Sequence, residues 1–157
     1  MSQRLEILRG YLDAQLNNIA DAAERKHAFV HLYGVGRLSA FIAMRRGVDA
    51  ELAMIAGLLH DIHTYTTGDG ADHAHKGAAL ADVILTELGI VTEAEKETVC
   101  AAIYNHSDKD DVSAPFDEAL KDADVLQHCL YNADIQLPQD HPEAPRCARL
   151  KDEFGLR

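Results

Sequence analysis

The stretch Ile55-Ala56-Gly57-Leu58-Leu59-His60-Asp61-Ile62 is apolar on nearly every helical side and ends in two adjacent groups able to bind a metal. An imidazole and a carboxylate at the end of a buried helix cost free energy unless something pairs with them, and a divalent cation does so better than another side chain. The rest of the chain is therefore expected to supply further ligands around His60 and Asp61.

Outward from this junction the punctuation is helical. An amphipathic run from Leu5 to Ile19 reads as a first helix; Asp21 caps a second that runs to Arg46 and is closed by Gly47, and Asp49 caps the third, which carries His60 and Asp61. Thr64 to Asp72, with two glycines and three threonines, reads as a loop, and Thr64, Tyr65, Thr66 and Thr67 in it as solvated residues or substrate contacts. A fourth helix spans about His73 to Leu88, Thr92 and Glu95 form the capping box of a fifth, and Pro115 opens a sixth that carries Asp124. After the breaks at Pro138, Pro142 and Pro145, a short final helix, Arg146 to Phe154, packs on the outside. No segment has strand period, so the fold class is all-α: a single-domain helical bundle of about six to seven helices over 1–157, with its core at roughly 25–132.

The candidate ligands come at intervals suited to one per helix. His31 lies 29 residues before His60, His75 lies 15 after it, His106 another 31 on, and Asp124 18 beyond that. Each sits on an apolar helical face: His31 with Val35, Leu38 and Ile42, His106 closing Val99, Ala102 and Ile103. Five such positions on five helices point to one shared core site. Imidazole with carboxylate suits iron, manganese, cobalt, nickel or zinc rather than magnesium alone, and the absence of thiolate argues against structural zinc.

The ordered set His31, His60-Asp61, Ala74-His75-Lys76-Gly77-Ala78, Tyr104-Asn105-His106 and Asp122-Ala123-Asp124 resembles the HD-domain superfamily of metal-dependent phosphohydrolases. Within it the chain looks most like the small single-domain bacterial members with six ligands, which include dinuclear nucleotide hydrolases such as the diadenosine tetraphosphate hydrolases. The resemblance implies two divalent transition metal ions, iron or manganese first, with cobalt, nickel or zinc as alternatives. His31, His60, Asp61 and Asp124 would hold one metal and His75 and His106 the other, with Asp61 bridging and a hydroxide between the ions as nucleophile. His60 and Asp61 thus form the catalytic centre. His73 competes with His75, and His75 is preferred because Gly77 and Ala78 follow it as in the family. Many relatives continue the His-Asp pair with Ile-Gly-Lys; here the chain reads Ile62-His63-Thr64, so Lys76 or Lys109, with Arg37 nearby, would supply substrate-binding charge. His63 and His128 are alternative proton shuttles.

Charge bounds the partners. With 15 basic and 26 acidic residues, a net charge of -11 disfavours nucleic acid and anionic membranes, whereas a small phosphorylated substrate, nucleotide or dinucleotide, remains compatible with a site whose metals reverse the local field. A homodimer is also compatible. No apolar run approaches a signal peptide or the ~20 residues of a membrane span, which reads as a cytoplasmic protein. Three cysteines, an odd number, read as small core residues rather than a disulfide framework. The expected function is a metal-dependent phosphohydrolase, with a dinuclear iron oxygenase and a non-catalytic ligand-sensing module as alternatives.

Overall fold

The computed structural model describes residues 2–130, 137–138 and 140–156; the expected core limit at 132 falls outside them. Among the described residues the elements are eight helices and no strand: α1 (Gln3–Asn17), α2 (Ala22–Arg46), α3 (Ala50–Leu59), α4 (Ile62–Thr67), α5 (His73–Leu88), α6 (Glu93–Asn105), α7 (Pro115–Leu130) and α8 (Ala144–Phe154). The all-α class follows as expected.

The caps are where the sequence puts them. The Asp21 carboxylate accepts from the amides of Ala23 and Glu24, Asp49 accepts from Leu52, and Thr92 and Glu95 close their box in both directions. Gly47 and Gly89 end α2 and α5 in the left-handed conformation.

The eighth helix is α4. It takes in Thr64 to Thr67 of the expected loop, which with Ile62 and His63 form a turn and a half of helix directly after the His-Asp pair. The hydroxyls of Thr66 and Thr67 donate to the carbonyls of Ile62 and His63 at 2.7 and 2.8 Å, so side chains that weaken long helices satisfy this short one. Only the segment from Gly68 onward remains a loop.

Packing brings the helices close where side chains are small. A Cβ on Gly57 of α3 would lie 2.7 Å from the Cα of Gly36 on α2, so the two backbones approach nearer than any other residue pair would allow. Gly36 thus packs directly on α3, while Gly34 faces α7, where the Gln127 side chain fills the space of its missing Cβ. Leu8, Leu12 and Leu16, spaced one turn apart on α1, are fully buried in the same apolar cluster that includes Leu32, Ile55, Ile103 and Leu120. Arg4 ties α1 to Glu51 of α3 and Glu95 of α6.

The last helix is held by charge. Asp122 on α7 is buried and meets Arg46 of α2 and Arg146 and Arg149 of α8, each at 2.7 Å. Cys129 and Cys147 are joined in a disulfide between α7 and α8, and Cys100 is free, where the odd count pointed to three separate small residues. Both partners are buried as expected, but pairing across 18 residues depends on how α8 folds back, which spacing does not encode. No helix among the described residues is long and apolar enough to cross a membrane.

Candidate metal centre

His60 and Asp61 occupy the break between α3 and α4. Leu59 is the last residue of α3, Asp61 has left the helical region (φ -113°, ψ 13°), and α4 restarts at Ile62. The break turns the His60 ring back onto its own helix, where Nδ1 donates to the Gly57 carbonyl at 2.9 Å. His106, at the C-terminus of α6, does the same to the Ile103 carbonyl at 2.6 Å. A carbonyl on Nδ1 fixes the tautomer and leaves Nε2 with a lone pair pointing inward, as a metal ligand requires.

Around these two rings the other groups converge. His31, from the middle of α2, brings Nε2 to 3.1 Å from His60 Nε2. Asp61 divides its oxygens. Oδ2 lies 3.4 Å from His60 Nε2 and 3.6 Å from His31 Nε2, while Oδ1 lies 3.5 Å from His106 Nε2 and 3.8 Å from His73 Nε2. Asp124 of α7 places Oδ1 at 3.5 Å from His31, 3.7 Å from His60 and 3.6 Å from His128.

Two atoms each about 2.1 Å from one ion, at angles of 90–110°, stand roughly 3.0–3.4 Å apart, so spacings of 3.1–3.8 Å suit shared cation ligation. The polar accounting agrees. Asp61 Oδ1 and Asp124 Oδ1 are buried without a hydrogen-bond donor, and buried carboxylate oxygens left in that way are costly. Imidazoles and carboxylates without thiolate make a donor set for the transition metals named above. Four His/Asp groupings among the described residues could hold an ion, and together they comprise His31, His60, Asp61, His73, His106, Asp124 and His128.

His75, the expected ligand, is absent from these groupings. Its ring is exposed, with Nδ1 2.7 Å from Asp72 Oδ1, and stacks on Tyr104 with centroids 4.0 Å apart. The structure puts His73 in its place. Residues two apart on a helix point to different sides, and the side of α5 that meets the site carries Gly77, where a Cβ would come within 2.6 Å of the His60 carbonyl oxygen. Gly77 is one turn from His73 and shares its face, whereas His75 does not. The signal was present in the sequence as the spacing of His73 to Gly77.

The three expected substrate-binding cations separate in the same way. Lys109, on the loop after α6, sits at the centre, with Nζ 2.6 Å from Asp124 Oδ2. Lys76 pairs with Asp69 at 2.6 Å and faces away from the cavity. Arg37, on α2, lines a separate groove with Glu6, Arg9 and Asp13 and does not line the cavity over the centre. The cavity over the centre, about 480 Å³, is lined by Asp61, His73, His106, Ser107, Lys109 and Asp124, together with His128, Leu137 and the 141–143 segment. Composition of single helices did not reveal Ser107, 3.0 Å from His73 Nε2, or Glu143, 3.0 Å from His128 Nδ1.

Electrostatics are set by the two carboxylates. Burial opposes ionisation of Asp61 and Asp124, yet the charged neighbours, His60 beside Asp61 and Lys109 with His60 beside Asp124, hold both carboxyls well below the usual range. Burial likewise opposes protonation of His60, but Asp61 and Asp124 outweigh it and push His60 up to about 10. His31 and His106 go the other way, kept neutral chiefly by burial. Two carboxylates facing a ring between them give the cluster the charge to receive a cation in place of that ring's proton.

With this geometry established, comparison with known proteins is decisive on family. The model of the HD domain matches residues 28–134. The chain belongs to the HD-domain family. Ribonuclease Y of Sulfurovum sp. (strain NBC37-1) is 33% identical to it over 106 residues, which are 67% of this chain but only 19% of that protein. This HD chain thus spans about a fifth of the length of that curated relative. A predicted HD superfamily hydrolase from an uncultured Thermotogales bacterium, known from its crystal structure, is 26% identical, with a TM-score of 0.59 over 96% of this chain and 87% of that one. The expected family and fold are therefore observed.

Proposed function

We propose that the protein is a metal-dependent phosphohydrolase acting on a small phosphate ester, a nucleotide or dinucleotide, with two divalent transition metal ions held by His31, His60, Asp61, Asp124, His106 and His73. The observation that carries this reading is the division of Asp61, whose Oδ2 faces His60 and His31 and whose Oδ1 faces His106 and His73. A carboxylate can bridge in this way and an imidazole ordinarily cannot. When bound, such ions would activate water near neutral pH and offset charge on a phosphoryl group.

The chain's own residues supply the rest. His60 and His106 are oriented by backbone carbonyls, so their ligand nitrogens are fixed before any ion binds. Lys109 brings an ammonium into the cavity lining beside Asp124, where it would meet non-bridging phosphate oxygens and stand in for the lysine missing after His60-Asp61. Leu137, His141 and Pro142 also line this cavity, whose volume of about 480 Å³ suits a ligand of nucleotide size. The net charge of -11 favours the same choice.

Similarity to a ribonuclease supports phosphoester chemistry and makes RNA the competing substrate. The test is phosphate and nucleotide release from nucleoside phosphates, dinucleoside polyphosphates and short RNA, with manganese and with chelator. Chelator-sensitive turnover of a small ester, with kcat/KM above that for RNA, supports the proposal. Preference for RNA would transfer the same centre to nuclease chemistry, and no turnover of any phosphoester would remove the hydrolase reading.

A further inference from the structure

The loop from Ser107 to Ala114, between α6 and α7, is pinned by two cations, one of them fully buried. Lys121 of α7 is fully buried and donates to the Asp111 carbonyl at 2.9 Å and to Ser113 Oγ at 2.8 Å. Arg146 of α8 directs two arms of its guanidinium at one acceptor, the carbonyl of Lys109, with Nη2 at 2.6 Å and Nε at 3.2 Å. Its third nitrogen, Nη1, donates to Asp122 Oδ1 at 2.7 Å and Glu118 Oε2 at 2.8 Å, both on α7. Asp122 and Asp124 are two residues apart and so leave α7 on different sides. One side holds Arg146, and the other presents Asp124 to the metal centre, where Lys109 Nζ meets it at 2.6 Å. The Lys109 backbone and its ammonium are thus referenced to the same helix from opposite sides.

We propose that Arg146 is a positioning residue for Lys109: it fixes the backbone from which the Lys109 ammonium reaches the phosphate-binding side of the cavity, and so makes α8, outside the matched 28–134 region, part of the working site. The proposal rests on Lys109 as the phosphate-binding cation. The planar fork is what the task needs. A lysine at position 146 could keep the charge beside Asp122 and Glu118, but its single nitrogen cannot hold the Lys109 carbonyl and both carboxylates at once. A flexible loop would leave Lys109 to be ordered at each binding event, and that ordering would appear as weaker binding rather than as loss of metal.

The experiment compares wild type, Lys109→Ala, Arg146→Met, Arg146→Lys and the Lys109→Ala/Arg146→Met double variant. Inorganic phosphate binding to manganese-loaded protein is read by calorimetry, metal content by elemental analysis, and hydrogen exchange at the Asp108 and Lys109 amides in metal-free protein. Arg146→Met is expected to weaken phosphate binding about tenfold with metal content unchanged, and to speed exchange at those two amides. The double variant is expected to bind as Lys109→Ala does, because a positioning residue has nothing left to position. Arg146→Lys retains the ion pairs, guards against a folding defect, and shifts phosphate binding and exchange in the same direction. Wild-type binding in Arg146→Met, or penalties that add in the double variant, would overturn the proposal. Phosphate binding with the expected pattern but no phosphoester turnover in wild type would instead remove the hydrolase reading and leave the Arg146 role standing.

Discussion

Asp61 presents Oδ2 to His60 at 3.4 Å and Oδ1 to His106 at 3.5 Å, so the second residue of the His-Asp pair serves both the set of imidazoles its neighbour belongs to and a second set. Replacing Asp61 with Asn preserves shape but removes the charge between the two sets. Metal content is expected to fall at both positions, and turnover to drop by about 100-fold or more. His106→Ala removes one neutral ligand on the Oδ1 side and is expected to cost about one ion per chain while the other is retained. Elemental analysis of both variants, with circular dichroism to verify helix content, makes the comparison.

The exchange of His75 for His73 gives a sharper contrast. His73→Ala is expected to lower metal content and activity, and His75→Ala, which loses only an exposed contact with Asp72 and Tyr104, to leave both within about twofold of wild type. Equal losses in the two variants would mean that α5 presents a different face to the centre.

The cations separate likewise. Lys109→Ala is expected to raise KM roughly 10–100-fold, the worth of about 1.5–3 kcal/mol for a charge-assisted hydrogen bond, with kcat less affected. Lys76→Ala, whose ammonium pairs with exposed Asp69, is expected to leave steady-state kinetics unchanged.

Much of this was legible in the sequence, for reasons that particular residues make plain. His31 and Asp124 sit on apolar faces of α2 and α7, while His60 and His106 continue the apolar faces of α3 and α6 at their C-terminal ends, and helical period is a local property legible in sequence. Adjacency to Gly77 and Ala78 points to His75, whereas the physical criterion is the helical face that His73 shares with Gly77. The α4 helix was hidden by threonine and glycine content. Arg146, 37 residues from Lys109, and the Cys129–Cys147 disulfide depend on α8 folding back, and no local pattern reports that.

Asp122 gives a prediction about stability. Burial raises the cost of its charge, but Arg149, Arg146 and Arg46 outweigh that cost and hold its carboxyl below the ordinary range. A depressed carboxylate pKa contributes stability that is fully present above the unfolded value of about 3.9 and is lost as pH falls below it through the folded value. Asp122→Asn is expected to lose on the order of 3 kcal/mol near neutrality, since three guanidinium groups lose their shared partner. The difference from wild type is expected to shrink below about pH 4, as urea unfolding across the pH range would measure.

The central claim is that the cluster around Asp61 holds two transition metal ions. Elemental analysis of wild-type protein purified without added metal or chelator tests it most directly. Close to two ions of iron, manganese, cobalt, nickel or zinc per chain is the expected result, with loss of both activity and metal on chelation and return of both on adding manganese or iron. Protein that carries no transition metal, or only magnesium, and binds none on titration would contradict the account.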